Sequence, residues 1–218
     1  MNTFDKFKKY SMIAILFTGV VLTACSDDDD DDNVTPVTNP PVENEEEVIT
    51  DVKLVFTNVN DTMDVVEARA QDPDGEGVQE LQVLDTIRLD ISKTYELTYE
   101  IFNNLETPGE DIGDEIAEED DEHQFFYGFT NNAFLNPLGD GNIDTASDPI
   151  NYEDEDSDTQ DGSGNPVGLV TRWTTSALAT SNGSFRVVLN HLPDIKSSTS
   201  SVNDGDSDID IEFVLEIN

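Results

Sequence analysis

Hydrophobic and polar residues alternate along most of the chain after residue 48. In the clearest case, Ile209, Ile211, Phe213, Leu215 and Ile217 are separated by Asp, Glu and Val residues, Asp208 preceding the first of them. A period of two places alternate side chains on a buried and on a solvated face of a β-strand. The same pattern predicts strands over residues 51–57, 95–102, 123–129 and 184–192, and weaker strands over 64–70, 80–90 and 168–174.

These segments, separated by Gly, Pro and Asp turns, predict an all-β domain: an antiparallel β-sandwich of about seven to nine strands. One segment departs from the period of two. Ile112 and Ile116 are four residues apart within 111–119, which predicts one short acidic helix. The chain lacks the alternating strand–helix pattern that a doubly wound α/β fold requires.

The N-terminus has the pattern of an export signal. Lys6, Lys8 and Lys9 precede an apolar run at 12–22, which is too short for a hydrocarbon core of about 30 Å. The run ends in LTAC at 22–25, which resembles a bacterial lipobox and implies that the Cys25 thiol carries acyl chains that anchor the protein in a lipid bilayer. An ordinary secretory peptide and a transmembrane anchor are the alternatives.

Ser26 and the six aspartates that follow it form an extended acidic run, because like charges repel one another. After a lipobox, this run resembles the surface-export signal of Bacteroidota outer-membrane lipoproteins, with Ser26, Asp27, Asp28, Asp29 and Asp30 as the signal residues. The alternatives are a simple solvated spacer and a location facing the periplasm. We therefore expect a signal peptide at 1–24, an acidic and Pro-rich tether at 25–47, and a β-sandwich at 48–218.

Charge and cysteine content exclude several classes of protein. The chain has 10 basic and 49 acidic residues and a formal net charge of −39. Such a balance argues against binding to nucleic acid, which needs Lys and Arg to neutralise phosphates. It also argues against docking on an anionic membrane through a basic patch. A single cysteine excludes a disulfide framework within the chain.

Clusters of aspartate in predicted turns suggest Ca²⁺, which prefers six to eight oxygen ligands. None has the spacing of an EF-hand, and aspartate and glycine also form turns without any ion. The candidate calcium ligands are Asp72, Asp74, Asp154, Asp156, Asp158, Asp204 and Asp206.

The two histidines are a second candidate site. His123 begins a predicted strand and His191 lies near the end of another, both on the apolar face. If these strand ends are adjacent, two imidazoles with Glu122 or Asp194 provide ligands for Zn²⁺ or Cu²⁺. The alternative is two separate histidines, each hydrogen-bonded to a carboxylate or to backbone.

Catalytic motifs are not evident, and we expect no enzymatic activity. The sequence has no nucleophile elbow, HExxH motif or phosphate-binding glycine loop. Paired carboxylates are too common here to indicate a glycosidase. Trp173 is either a core residue or a platform for a sugar ring.

Several segments together resemble a group of small Bacteroidota surface lipoproteins, often labelled type 1 periplasmic binding fold proteins. The segments that carry this resemblance are DPDG at 72–75, EEDDEHQFF at 118–126, GNPVGL at 164–169 and HLPD at 191–194. The resemblance implies a non-catalytic accessory that captures a ligand or cation beside an outer-membrane receptor. The alternatives are a structural or adhesive surface module with calcium-stabilised loops, and a zinc- or copper-binding protein using His123 and His191.

Overall fold

The computed structural model describes residues 47–75, 80–105, 107–154 and 160–218. The predicted signal peptide, Cys25, the Ser26–Asp30 export signal, and the calcium candidates Asp156 and Asp158 lie outside these residues. In chain order the elements are β1 (Asp51–Asn58), β2 (Val65–Gln71), β3 (Gln82–Val83), β4 (Ile87–Leu89), β5 (Thr94–Asn103), β6 (Glu110–Asp111), α1 (Ile112–Glu118), β7 (His123–Phe129), β8 (Phe134–Asn136), β9 (Thr171–Thr175), β10 (Thr180–His191) and β11 (Asp206–Ile217).

The strands form two sheets. The larger has the order β3-β2-β1-β5-β9-β8, with β6 also paired to β5, and the smaller has the order β4-β11-β10-β7. All the pairings are antiparallel except that between β11 and β4. The all-β prediction is therefore confirmed, with some very short strands that the alternation of residues does not reveal.

The core lies between the inner faces of the two sheets. Phe56 from the larger sheet meets Phe185 from the smaller with ring centroids 5.7 Å apart, and Trp173 meets Phe185 at 5.0 Å. These contacts have edge-to-face geometry, which aromatic pairs favour. Trp173 is fully buried, so it belongs to the core and offers no exposed face to a sugar.

The short helix forms where the spacing of Ile112 and Ile116 predicts it. Both side chains are buried, and α1 packs against β5. The predicted strand at 80–90 is instead divided into β3 and β4, which belong to different sheets. The chain crosses from one sheet to the other between them, so a single continuous strand was the wrong interpretation there.

Candidate metal centre

β7 and β10 pair in a register that places His123 directly opposite His191. His123 is the first residue of β7 and His191 the last of β10, so the pair occupies one end of the smaller sheet. Directly opposed residues project to the same side of a sheet, with Cβ atoms about 5 Å apart. The two imidazole rings accordingly stack with centroids 4.7 Å apart and planes inclined by 6°.

Carboxylates surround the His123 ring, which is inaccessible to solvent. Its Nε2 atom lies 3.0 Å from Oε1 of Glu47 and 3.8 Å from Oδ2 of Asp208, while Nδ1 lies 3.8 Å from Oε2 of Glu119. The exposed fraction of the side chain is 8% for Glu47, 0% for Asp208 and 47% for Glu119. Glu119 therefore forms the solvent-facing side of an otherwise enclosed cluster.

His191 has a carboxylate partner of its own. Its Nε2 atom lies 3.2 Å from Oε2 of Glu122. The backbone fixes this pair, because the amide of Leu192 donates a hydrogen bond to the Glu122 carbonyl at 2.6 Å. Glu122 thus orients one imidazole from the side, as the carboxylate partners of metal-bound histidines commonly do.

Asp208 reaches the cluster through an irregularity in β11. The β10–β11 register passes from Leu189 opposite Ile209 to Asn190 opposite Ser207, which leaves Asp208 as an extra residue. Such a bulge redirects a side chain that would otherwise point to the opposite face. The strict alternation of residues predicts an outward-facing Asp208, and that prediction is wrong because of this bulge.

The charges of the cluster are unbalanced. Even with both imidazoles protonated, the carboxylates of Glu47, Glu119, Glu122 and Asp208 leave two negative charges in excess. Burial lowers the pKa of His123, but the nearby Glu47 carboxylate, with Asp208 and Glu119, outweighs burial and raises it. Burial raises the pKa of Glu119. Glu47 and Asp208 are buried, whereas the side chains of Glu119 and Glu122 are 47% and 29% exposed, so solvent stabilises part of this excess charge and a bound cation would balance the rest.

Several buried polar atoms of the cluster lack a well-aligned hydrogen bond within the described residues. Within the part of the chain that the structure describes, both ring nitrogens of His123 and Oε2 of Glu47 are buried without a well-aligned hydrogen-bond partner. Most buried polar atoms have such a partner, so an exception suggests an ion or a water.

Ligand atoms from Glu47, Glu119, His123 and His191 all lie within 4.8 Å of one another. A tetrahedral Zn²⁺ with bonds of 2.0–2.2 Å needs its ligand atoms about 3.4 Å apart. Small rotations of these side chains would bring the four ligand atoms to that separation. Two imidazoles and two carboxylates suit Zn²⁺ or Cu²⁺ better than Ca²⁺, which prefers oxygen alone.

The other predicted metal ligands lie elsewhere. Asp194 is exposed in the turn after β10 and is not a member of the His123 group. Oδ1 of Asp72 accepts a hydrogen bond from the Asp74 amide, an ordinary turn contact. Oδ2 of Asp154 accepts one from the Gly168 amide.

Asp204 accepts hydrogen bonds from the amide and the hydroxyl of Ser201, and Asp206 is exposed at the start of β11. Among the described residues, a second group of carboxylates within 4.8 Å comprises Asp140, Asp144 and Asp148, in a loop with no predicted ligand. All the calcium candidates in the described segments therefore lie outside both groups.

Three members of the histidine cluster were not predicted. Glu119 lies four residues before His123, and the turn between α1 and β7 joins them, because the Glu119 carbonyl accepts hydrogen bonds from the amides of Glu122 and His123. Glu47 lies in the segment predicted to be tether, and no local pattern distinguishes it from its acidic neighbours. The alternation of hydrophobic and polar residues assigns Asp208 to the solvated face of its strand, so it was not predicted as a ligand.

Among the described residues, the structure has no helix that is both long and apolar enough to span a membrane. Comparisons of the chain with protein-family models, with curated proteins and with solved structures find no match.

Proposed function

We propose that this protein is a lipid-anchored outer-membrane lipoprotein that binds one Zn²⁺ or Cu²⁺ ion between His123 and His191. The observation that carries the proposal is the stacked histidine pair enclosed by carboxylates, in which the buried His123 nitrogens have no well-aligned hydrogen-bond partner among the described residues. The role is binding, as an accessory that captures the ion beside an outer-membrane receptor.

The number of available ligands favours binding over catalysis. Catalytic zinc sites typically have three protein ligands and keep one position open for water or substrate. Here Glu47, Glu119, His123 and His191 supply four ligand atoms, and Asp208 lies near as a further carboxylate. A site filled by the protein's own groups retains an ion rather than activating a bound water.

The exposure of Glu119 supports reversible capture. Its side chain is 47% exposed, whereas His123 is inaccessible, so rotation of Glu119 provides a path for an ion from solvent. The excess negative charge of the whole chain also raises the local concentration of cations. The lipobox-like segment and the Ser-Asp run at 22–32 support the outer-membrane location, facing the cell exterior.

Calorimetric titration of the full-length protein in detergent with Zn²⁺, Cu²⁺ and Ca²⁺ tests the proposal. We expect one Zn²⁺ or Cu²⁺ per chain and little effect of Ca²⁺. His123→Gln and His191→Gln should each weaken binding by about 100-fold or more, because each removes an imidazole ligand.

Glu118→Gln is the matched control for Glu119→Gln. Both remove one carboxylate at the end of α1, but Glu118 is exposed and not a member of the cluster. Only Glu119→Gln should weaken the binding of Zn²⁺. Absence of binding by the wild type, or unchanged affinity in both histidine variants, would refute the proposed function. Because His191 is at a strand end, its variant serves if His123→Gln fails to fold.

A further inference from the structure

Glu47 comes from the chain that leads into the larger sheet, but its carboxylate contacts the smaller one. Three residues later, Thr50 is fixed to the larger sheet: its amide donates to the Phe102 carbonyl at 3.0 Å, and its carbonyl accepts from the Asp72 amide at 2.8 Å. The Glu47 carboxylate lies 3.0 Å from His123 of β7 in the smaller sheet. The segment 47–50 therefore bridges the two sheets beside the histidine pair.

The contact between Glu47 and His123 is incomplete without a further group. The Glu47 side chain is 8% exposed, and within the described residues its Oε2 atom has no hydrogen-bond partner. A buried carboxylate oxygen without a partner costs stability, by about 1–3 kcal/mol in general. An ion held at this point would give that oxygen a partner and strengthen the attachment of the segment.

We propose that metal binding fastens the segment 47–50 to the β-sandwich, so that the ion controls how firmly this segment is held. This inference rests on the proposed function, since it uses the same ion. Glu119, His123 and His191 come from the end of α1, from β7 and from β10, and Glu47 is the one member of the group that precedes β1. The other three ligands can hold an ion without Glu47, whereas the segment loses its link to that ion.

The experiment compares binding with local order in the full-length protein. Calorimetry measures Zn²⁺ affinity, and amide hydrogen exchange by NMR at Val48 and Ile49 measures how firmly the segment is held. Saturating Zn²⁺ should slow exchange of these amides by about tenfold or more in the wild type, since local opening then requires loss of a coordination bond.

Glu47→Gln and Glu119→Gln form a matched pair, because each removes one carboxylate ligand and preserves side-chain size. Both should bind Zn²⁺ about 10- to 100-fold more weakly, judged by the effect of losing a supporting group at a metal site. At saturating Zn²⁺, protection of Val48 and Ile49 should persist in Glu119→Gln and disappear in Glu47→Gln.

Two failures are distinguishable. If Zn²⁺ binds but leaves exchange at Val48 and Ile49 unchanged, or protects them equally in Glu47→Gln, the fastening role is wrong and the metal site stands. If calorimetry detects no binding of Zn²⁺ or Cu²⁺ by the wild type, both the proposed function and this inference are wrong.

Discussion

Asp154 carries a carboxyl group with almost no access to solvent, and its residue is 4% exposed. Burial raises its pKa to about 6 from the ordinary 3.8, although backbone amides, among them that of Gly168, act in the opposite direction. The proton is therefore held more tightly in the folded than in the unfolded chain. Stability from this group is fully present below about pH 3.8 and is lost as pH rises through about 6.

Asp154→Asn should remove that loss, because the amide carries no charge and can still accept the hydrogen bond from Gly168. The variant should gain stability relative to the wild type as pH rises from 4 to 7, approaching about 3 kcal/mol for a shift of two pKa units. Urea unfolding of both proteins across this range measures the difference. A constant difference at every pH would contradict the prediction.

Asp161→Asn is the matched control, in the same loop and with the opposite sign. Burial raises the pKa of Asp161, but hydrogen bonds from Asn165 and the Ser163 amide outweigh burial and lower it. Its stabilising contribution is present above the ordinary pKa and lost in acid. The Asp161 variant should therefore lose stability relative to the wild type as pH rises from 2 to 5.

At the scale of elements, residue alternation predicted most of the long strands to within two residues, but β10 begins at Thr180, four residues before its predicted start. β7 spans His123–Phe129, as the sequence indicates, and β1, β5 and β11 differ from prediction by a residue or two at their ends. β1, β5 and β11 bury one face, which leaves a period of two in the sequence, whereas β7 is buried on both faces. β6 and β8 have two and three residues, too few to show any period.

The sequence allowed the two histidines to be predicted as a candidate pair, because both residues continue the apolar face of their strands. Their contact additionally requires that β7 and β10 are neighbours, which alternation does not specify. Glu47 reaches the site through tertiary packing and Asp208 through a bulge, and neither leaves a local signal. Local patterns thus identified the two imidazoles and Glu122, whereas Glu47, Glu119 and Asp208 were found only in the structure.

The turn before β11 depends on a glycine beside the site. Gly205 has φ of +67°, and a Cβ there would overlap the carbonyl oxygen of His191. Gly205→Ala should cost about 2 kcal/mol or more, from backbone strain and from the displaced strand end. It should also weaken Zn²⁺ binding, because His191 moves with its backbone.

Gly164→Ala separates these two causes. Gly164 has φ of +82°, but a Cβ there would have no atom within 4 Å. It should lose about 1–2 kcal/mol from strain alone and keep full affinity for Zn²⁺. Urea unfolding without metal and calorimetry with Zn²⁺ provide the comparison. Equal losses in the two variants would show that contact with His191 has no role.

At the scale of the whole molecule, net charge opposes folding. The chain has a formal charge of −39, and folding brings the many carboxylates of residues 47–218 closer together. Raising NaCl from 0.01 to 0.1 M shortens the Debye length from about 30 to about 10 Å. The melting temperature should therefore rise by several degrees, measured by calorimetry in the presence of EDTA. An unchanged or lower melting temperature would show that the charges are already too far apart to matter.

The pairing of His123 with His191 also has a consequence for assembly of the fold. Strand pairing has a period of two, so a slip of one residue between β7 and β10 would turn one imidazole away from the other. An ion that needs both rings can therefore be held only by chains in which these distant segments have found their correct alignment. If the ion binds as proposed, its retention would distinguish molecules with the correct register of β7 and β10 from molecules in which these strands are misaligned.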